Sequence, residues 1–230
     1  MSVYAWCEDS GSGFKFWKEI FGTLYPNVIV EPKSNNSQLR KAVENIKDNE
    51  NEYYILMDTF IDNNNVLREV DRLKHSICGK ENIHIIDVHS FEFALLSFKP
   101  LIQWIFAEKD ELKDKRKNLI RARELFINQI IQYSSMDELE ELEEVFPYFK
   151  LHNSEQSAAE LLYQITRNTG FETDKKTLGE CFVVGCCEWS QRQADDLCGL
   201  DANRIGADEK KMRLVSESVL KTAFEKVGLK

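Results

Sequence analysis

The chain has 230 residues, of which 43% are hydrophobic and 30% are charged, and its net charge is -9. Its 14 Phe, 7 Tyr and 4 Trp side chains supply the bulk of a sizeable core, which excludes intrinsic disorder as the main state. No apolar run approaches the roughly 18 residues of a membrane-spanning helix, and the first residues lack the basic start and apolar segment of an export signal. We therefore expect a soluble, cytoplasmic protein without a membrane partner.

The excess of acidic over basic side chains limits how the chain can bind nucleic acid. Acidic side chains outnumber basic ones in residues 1–100 and again in residues 101–230. Because nucleic-acid binding is driven by neutralisation of phosphates, a stand-alone binder is usually basic. Any nucleic acid must therefore be bound by a local patch or through a partner subunit.

Residues 1–100 alternate between strand-like and helix-like segments. Short apolar runs predict four strands, over Val3 to Cys7, 28–30, 53–57 and 83–86. Apolar residues at helical spacing predict helices over 14–21, 37–46 and 66–77, and a short helix from Ser90. Strands that alternate with helices are typical of a mainly parallel sheet covered by helices on both faces. The expected fold class is α/β, with a sheet of about four strands.

Residues 101–230 form a mainly helical extension with a cysteine-containing segment, so we place a domain boundary at residue 100. One or two helices are expected over 101–133, and Ser135 with Glu138 forms a capping box that opens an acidic helix from Asp137 to Val145. Asn153 or Ser154 caps the next helix. The last helix is expected to run from about residue 208 to 227.

Acidic side chains follow the predicted strands. Glu8 and Asp9 follow the first strand, Glu31 the second, Asp58 the third and Asp87 the fourth. Ligands of open α/β sheets bind at the carboxyl ends of the strands, and carboxylates that converge there repel each other unless they share a cation. Oxygen ligands suit Mg²⁺, so a magnesium site is one interpretation. The alternative is that these acids cap the helices that follow and face water.

Four cysteines fall close together, at Cys181, Cys186, Cys187 and Cys198. Zinc sites are usually built from pairs of ligands two to four residues apart, and no Cys-x-x-Cys occurs here. We therefore do not expect zinc, and a buried structural role is favoured over a metal or redox role.

A basic run lies in the helical extension and includes Lys113, Arg116, Lys117 and Arg121. These four side chains are the candidates for binding nucleic-acid phosphates. The alternative, which the spacing favours, is a solvated helix face with intrahelical ion pairs. The acidic helix that follows is expected either to fold back on the basic one or to dock a partner.

The order of strands and acids resembles the Toprim domain, and most closely the Toprim-type nucleases that accompany ATPases in bacterial phage-defence systems. Glu8 resembles the family's general acid or base, Asp58 the first metal-binding Asp of its Asp-x-Asp motif, and Glu92, in Phe91-Glu92-Phe93, the acid after the fourth strand. The resemblance covers roughly residues 1–100. It implies Mg²⁺-dependent cleavage of nucleic-acid phosphodiester bonds with Glu8, Asp58 and Glu92 as catalytic residues, and a protein partner, such as an ATPase or a second copy of the chain.

Two positions depart from the family's pattern. The second Asp of the motif falls at Phe60, and Asp9 stands where the family usually has Gly. Asp62 or Asp87 is the candidate replacement as a metal ligand beside Asp58. An alternative function is a degenerate, non-catalytic Toprim-like module that serves as a scaffold in a multiprotein complex. A third is binding of a small molecule or a nucleotide at the glycine turn of residues 10–13.

Overall fold

The structure is a computed structural model that describes residues 1–60, 62–105, 111–132, 135–192, 198–200 and 204–229. Its first hundred residues alternate strand and helix as expected, which confirms the α/β class. The elements are β1 (Val3–Cys7), α1 (Ser12–Leu24), β2 (Val28–Pro32), α2 (Asn36–Glu44), β3 (Glu52–Met57), α3 (Asn64–Ser76), β4 (Ile83–Asp87) and α4 (Phe91–Ser97).

The four strands form one parallel sheet in the order β2-β1-β3-β4. The chain leaves β1 toward one side to form β2, and then crosses to the other side of β1 to form β3. This reversal creates a crevice between the carboxyl ends of β1 and β3, where parallel α/β sheets bind their ligands.

Alternating side chains of β1 face opposite sides of the sheet. Ala5 and Cys7 join the larger hydrophobic cluster on the α1 side, whereas Tyr4 and Trp6 pack against the smaller cluster beneath α2 and α3. Tyr53 of β3 stacks on Tyr4 with ring centroids 5.2 Å apart. Both faces of the sheet are therefore covered, as its apolar strands predict.

The second half of the chain is mainly helical and packs on the sheet. The larger hydrophobic cluster runs without interruption from residues of β1, α1 and α4 to residues of the later helices. The boundary placed at residue 100 therefore does not separate two cores. The later elements are α5 (Leu101–Ile105), α6 (Glu111–Lys115), α7 (Lys117–Gln132), α8 (Met136–Val145), a 3₁₀ turn (Pro147–Leu151), α9 (Ser154–Thr166), a second 3₁₀ turn (Glu180–Phe182), α10 (Ala207–Ser216) and α11 (Leu220–Lys226).

The acidic helix α8 folds back on α7. Its capping box is present, with Ser135 and Glu138 bonded to each other's backbone N–H groups. The guanidinium group of Arg121 donates to both carboxylate oxygens of Glu141, at 2.7 and 2.8 Å. The sequence left two possibilities for the acidic helix, and the one in which it folds back on the basic helix is confirmed. The cap of α9 is Asn153, whose side chain accepts from the backbone N–H of Gln156 at 2.8 Å.

The expectation of one continuous helix over residues 208–227 is wrong, because the chain breaks between α10 and α11. At the break the backbone N–H of Val219 donates to Ser97 Oγ at 3.2 Å, and the carbonyl of Glu217 accepts from the backbone N–H of Lys99 at 3.0 Å. Those groups would bond within the helix if it continued. The break ties the end of the chain to the end of α4.

Two arginines of the basic run are buried and cap other helices. Arg116 donates to the carbonyls of Ile165 and Arg167 at the end of α9. Arg123 donates to the carbonyls of Leu96 and Phe98 at the end of α4, at 2.6 and 2.8 Å, and burial lowers its pKa to about 10. Cations that bond the last carbonyls of a helix stabilise it. The sequence-based expectation of an exposed Arg116 is therefore not met.

We expect Arg116→Ala to lower the free energy of unfolding by about 2–4 kcal/mol, because the carbonyls at the end of α9 lose a charged donor in a buried setting. Urea unfolding followed by circular dichroism measures this change. Lys117→Ala is the matched control, because the side chain of Lys117 is next to Arg116 in sequence but is exposed. Equal unfolding midpoints for the two variants would contradict the capping role.

None of the helices in the described part of the chain has the length and apolar character needed to cross a membrane.

Candidate functional site

A cavity of about 430 Å³ opens at the carboxyl ends of β1 and β3, in the crevice created by the strand order. Glu8, Asp58 and Glu92 all line it. These three acids come from the ends of two strands and the first turn of α4, far apart in the chain. The fold therefore brings together the three residues predicted to be catalytic.

Glu8 directly follows β1 and reaches across to β3. Its Oε2 accepts a hydrogen bond from the backbone N–H of Asp58 at 3.4 Å. Burial raises the pKa of Glu8 to about 8, although the hydrogen bond from Asp58 opposes the rise. The charges of Glu155, Asp9 and Glu92 raise this pKa further. Glu8 is thus able to gain or lose a proton near neutral pH.

Asp58 and Glu92 are held in similar surroundings. Burial raises the pKa of Asp58 well above its usual value, and the charges of Glu8 and Glu92 add to the effect. Burial raises the pKa of Glu92 to about 7, while hydrogen bonds from its own backbone and from Ser90 oppose the rise. Ser90 also fixes the start of α4 by accepting from the backbone N–H of Phe93 at 3.1 Å.

Glu155 is a further acid of this cavity, and the sequence did not single it out. It lies in the first turn of α9, in the helical half of the chain. Its charge raises the pKa of Glu8, Asp58 and Glu92 alike. Asn63 donates to its Oε2 at 3.4 Å. Acidic residues are common in the first turn of a capped helix, so the sequence gives no sign that Glu155 lies in the cavity. Its position there depends on the packing of α9 against α4.

The protein supplies little positive charge to these acids. Among the described residues, no Lys or Arg forms an ion pair with Glu8, Asp58, Glu92 or Glu155. Lys175 is the single basic side chain among the described residues that line the cavity. Desolvated carboxylates that repel each other are stabilised by protonation or by a bound cation.

The donor set fits Mg²⁺ only in part. In the ranges that the structure describes, no group of three or more His, Cys, Asp or Glu side chains is arranged to hold a metal ion. Mg²⁺ in proteins is usually held by one or two carboxylates, with water and a substrate phosphate completing its shell. Asp58 with one neighbouring acid fits that mode, whereas a closed cage of protein ligands does not.

Asp9 has a structural role. Its carboxylate accepts from the backbone N–H groups of Gly11 and Gly13, at 2.7 and 3.0 Å, and so closes the turn into α1. A phosphate cannot use the same two N–H groups while Asp9 occupies them. The glycine turn is therefore a poor nucleotide cradle.

The two candidate replacements for the second metal-binding Asp lie outside the cavity. Asp62 Oδ2 accepts from the backbone N–H of Ser154 at 2.7 Å, at the start of α9. Asp87 is exposed at the end of β4, where Thr59 Oγ1 approaches it at 3.4 Å, and it lines a separate cavity of about 760 Å³. The structure thus does not bring Asp62 or Asp87 together with Asp58.

Phe60 occupies the position of the second Asp in the resembled motif. It is 1% exposed, stacks on His89 with ring centroids 5.2 Å apart and meets the edge of Phe93 at 6.1 Å. Its side chain belongs to the hydrophobic core, so this position is built for packing.

The four candidate phosphate-binding residues are not equivalent. Lys113 and Lys117 are exposed, Arg116 is buried, and Arg121 is bonded to Glu141. None of the four lines the carboxylate cavity. The basic run therefore supplies caps and ion pairs as well as two exposed lysines.

The cysteine-containing segment surrounds a narrow cavity of about 10 Å³ that Cys181, Cys186, Cys187, Cys198 and Lys210 line. Burial raises the pKa of the Cys181 thiol to about 12, so it is not ionised near neutral pH. Lys210 is 1% exposed and donates to the Cys181 carbonyl at 3.0 Å. These contacts agree with the structural role favoured from the sequence.

Comparison of the chain with protein-family models, with curated proteins and with solved structures finds no match. The Toprim resemblance therefore stays a prediction that rests on the residues quoted above.

Proposed function

We propose that this protein cleaves nucleic-acid phosphodiester bonds with the help of Mg²⁺. The observation that carries the proposal is the convergence of Glu8, Asp58 and Glu92 in one cavity at the switch point of a parallel sheet. Burial and mutual repulsion raise the pKa of each of these acids. Groups with strongly shifted pKa values in a cleft are candidates for catalysis.

Each acid has a proposed role. Asp58, together with Glu92 or Glu155, holds the cation. When bound, Mg²⁺ supplies positive charge that polarises the phosphoryl group. Glu8 acts as the general acid or base, because a pKa of about 8 lets it exchange a proton near neutral pH.

A partner is part of the proposal. With a net charge of -9, the chain has little affinity of its own for a polyanion. The resembled nucleases act as phage-defence effectors beside an ATPase, and such a partner would supply affinity for nucleic acid and a trigger. A second copy of the chain is the other candidate.

The test is cleavage of labelled DNA and RNA oligonucleotides by the purified chain, with Mg²⁺ and with a chelator. We expect cleavage that stops with the chelator and returns when Mg²⁺ is restored. Isothermal titration of Mg²⁺ provides a second readout that does not depend on activity. The proposal fails if the chain, alone and with a co-purifying partner, cleaves none of these substrates, and absence of Mg²⁺ binding would contradict the cation site as well.

Phe60 favours a second candidate function, a non-catalytic scaffold or interaction module. A family member that keeps Glu8 and Asp58 but buries an aromatic ring at the second acidic position has lost one ligand of the usual pair. On this alternative the carboxylates are remnants, and binding of a protein partner would survive substitution of Asp58.

A further inference from the structure

The cavity that holds the carboxylates is recessed and small. Its volume of about 430 Å³ falls in the range of sites for single small molecules, roughly 300–1,000 Å³. Three segments line the cavity around the acids: the start of α1 at Ser12 and Gly13, residues 34–36 at the start of α2, and the face of α9 with Glu155, Gln156 and Ala159. Asp58 lines the same cavity, so a phosphate that reaches it lies beside these segments.

The turn that carries Lys175 is fixed against the start of α1. Asp174 Oδ1 accepts from the backbone N–H groups of Lys176 and Thr177, at 2.7 and 2.8 Å. Lys15 Nζ donates to the carbonyl of Lys176 at 2.9 Å. The carbonyl of Lys175 comes so close to Gly11 that an added Cβ would lie 2.6 Å away. Lys175 is thus held at the cavity wall by an ordered turn.

Two polar groups of the wall suit a nucleotide. Lys175 is a basic residue lining a cavity whose other charged side chains, among the described residues, are acids. The amide oxygen of Asn36 is buried and has no hydrogen-bond partner among the described residues. Such an oxygen can accept from a base amino group or a sugar hydroxyl. Lys175 and Asn36 both line the cavity, so a cationic side chain and an unpartnered acceptor belong to the same site.

A continuous duplex does not fit these features. Its phosphates lie on a stiff, convex backbone, and enzymes with recessed sites act on unpaired strands or on nucleotides extruded from the duplex. Duplex binding also needs an extended basic surface. Here Arg116 and Arg123 are buried as helix caps and Arg121 is bonded to Glu141.

We infer that the cavity accepts one nucleotide of an unpaired nucleic-acid strand, with Lys175 contacting its phosphate. This inference rests on the proposed function and adds the class of substrate. Single strands bend locally, so one phosphate can enter the recess while the rest of the strand stays outside. Lys175 is a positioning residue, because it holds the substrate and does not take part in proton transfer.

The first experiment compares three labelled substrates of the same sequence: a single strand, a blunt duplex and a duplex with a single-stranded overhang, each as DNA and as RNA. Binding is measured by fluorescence anisotropy in Ca²⁺, and cleavage in Mg²⁺. We expect the single strand and the overhang to bind and to be cleaved about tenfold better than the blunt duplex. Equal or better binding of the blunt duplex overturns the inference.

The second experiment replaces Lys175. We expect Lys175→Gln to raise KM for the single strand about tenfold with kcat nearly unchanged, and to weaken binding by the same factor. Lys176→Gln is the matched control, because it removes a neighbouring exposed charge that does not line the cavity. Equal effects of the two substitutions, or a loss of kcat alone, overturn the role of Lys175.

Failure of the proposed nuclease function and failure of the single-strand site give different results. Absence of cleavage in every arm, with preferential binding of the single strand through Lys175, contradicts the proposed nuclease and supports the binding site. Cleavage of blunt duplex and single strand at equal rates supports the nuclease and contradicts the recessed single-strand site.

Discussion

We expect Asp58→Asn to lower the Mg²⁺-dependent cleavage rate by about a thousandfold, with the chain still folded. Asparagine keeps the size of the side chain and removes the negative charge that attracts the cation. Loss of one preorganised electrostatic contact at a reacting centre typically costs about 10²–10³ in kcat. Because the wild-type carboxylate is desolvated among other acids, its removal does not destabilise the fold. Single-turnover cleavage and thermal unfolding measure both effects.

Asp87→Asn is the matched control for this substitution. Asp87 also lies at the carboxyl end of a strand of the sheet, yet it is exposed and lies outside the carboxylate cavity. We expect the cleavage rate of Asp87→Asn to stay within about twofold of the wild-type rate, as for surface substitutions away from a site. If Asp58→Asn keeps full cleavage activity, the nuclease proposal is wrong. If Asp58→Asn has no measurable effect and the variant still binds its protein partner, the scaffold function is supported.

The sheet was predictable because its signal is local. The strands are short apolar runs with helices of regular spacing between them, and a buried parallel sheet requires both features. The capping box of Ser135 and Glu138 is local as well, since its two hydrogen bonds span three residues. The place of Glu8 and Asp58 at one edge then follows from strand direction alone.

Other features depend on contacts between distant segments, which the local pattern does not encode. Glu155 enters the cavity only because α9 packs against α4, and the break before α11 exists because Ser97 and Lys99 bond the backbone there. The burial of Arg116 depends on where α9 ends. A basic run has the same appearance in sequence whether its guanidinium groups face solvent or cap a neighbouring helix.

Without a divalent cation, we expect the free energy of unfolding to fall as the pH rises from about 5 to about 8. The folded chain holds Glu8 with a pKa of about 8 and Glu92 with a pKa of about 7, whereas both titrate near 4.5 when unfolded. Between these values the folded state binds more protons than the unfolded state, so stability decreases with pH. At about 1.4 kcal/mol per pKa unit, Glu8 and Glu92 together give an expected loss on the order of 6 kcal/mol over this pH range.

Mg²⁺ should reverse this loss, because a cation that binds the ionised carboxylates replaces the protons they give up and stabilises only the folded state. Urea unfolding across this pH range, with chelator and with millimolar Mg²⁺, measures the effect. Glu8→Gln should lower the slope of the curve recorded with chelator, and Glu92 accounts for the slope that remains. Glu50→Gln replaces an exposed acid in the loop after α2 and should leave the slope unchanged. The same slope for wild type and Glu8→Gln would show that Glu8 is not desolvated in the folded chain. An equal Mg²⁺ effect in wild type and Asp58→Asn would place the cation elsewhere, because Asp58 is its proposed ligand.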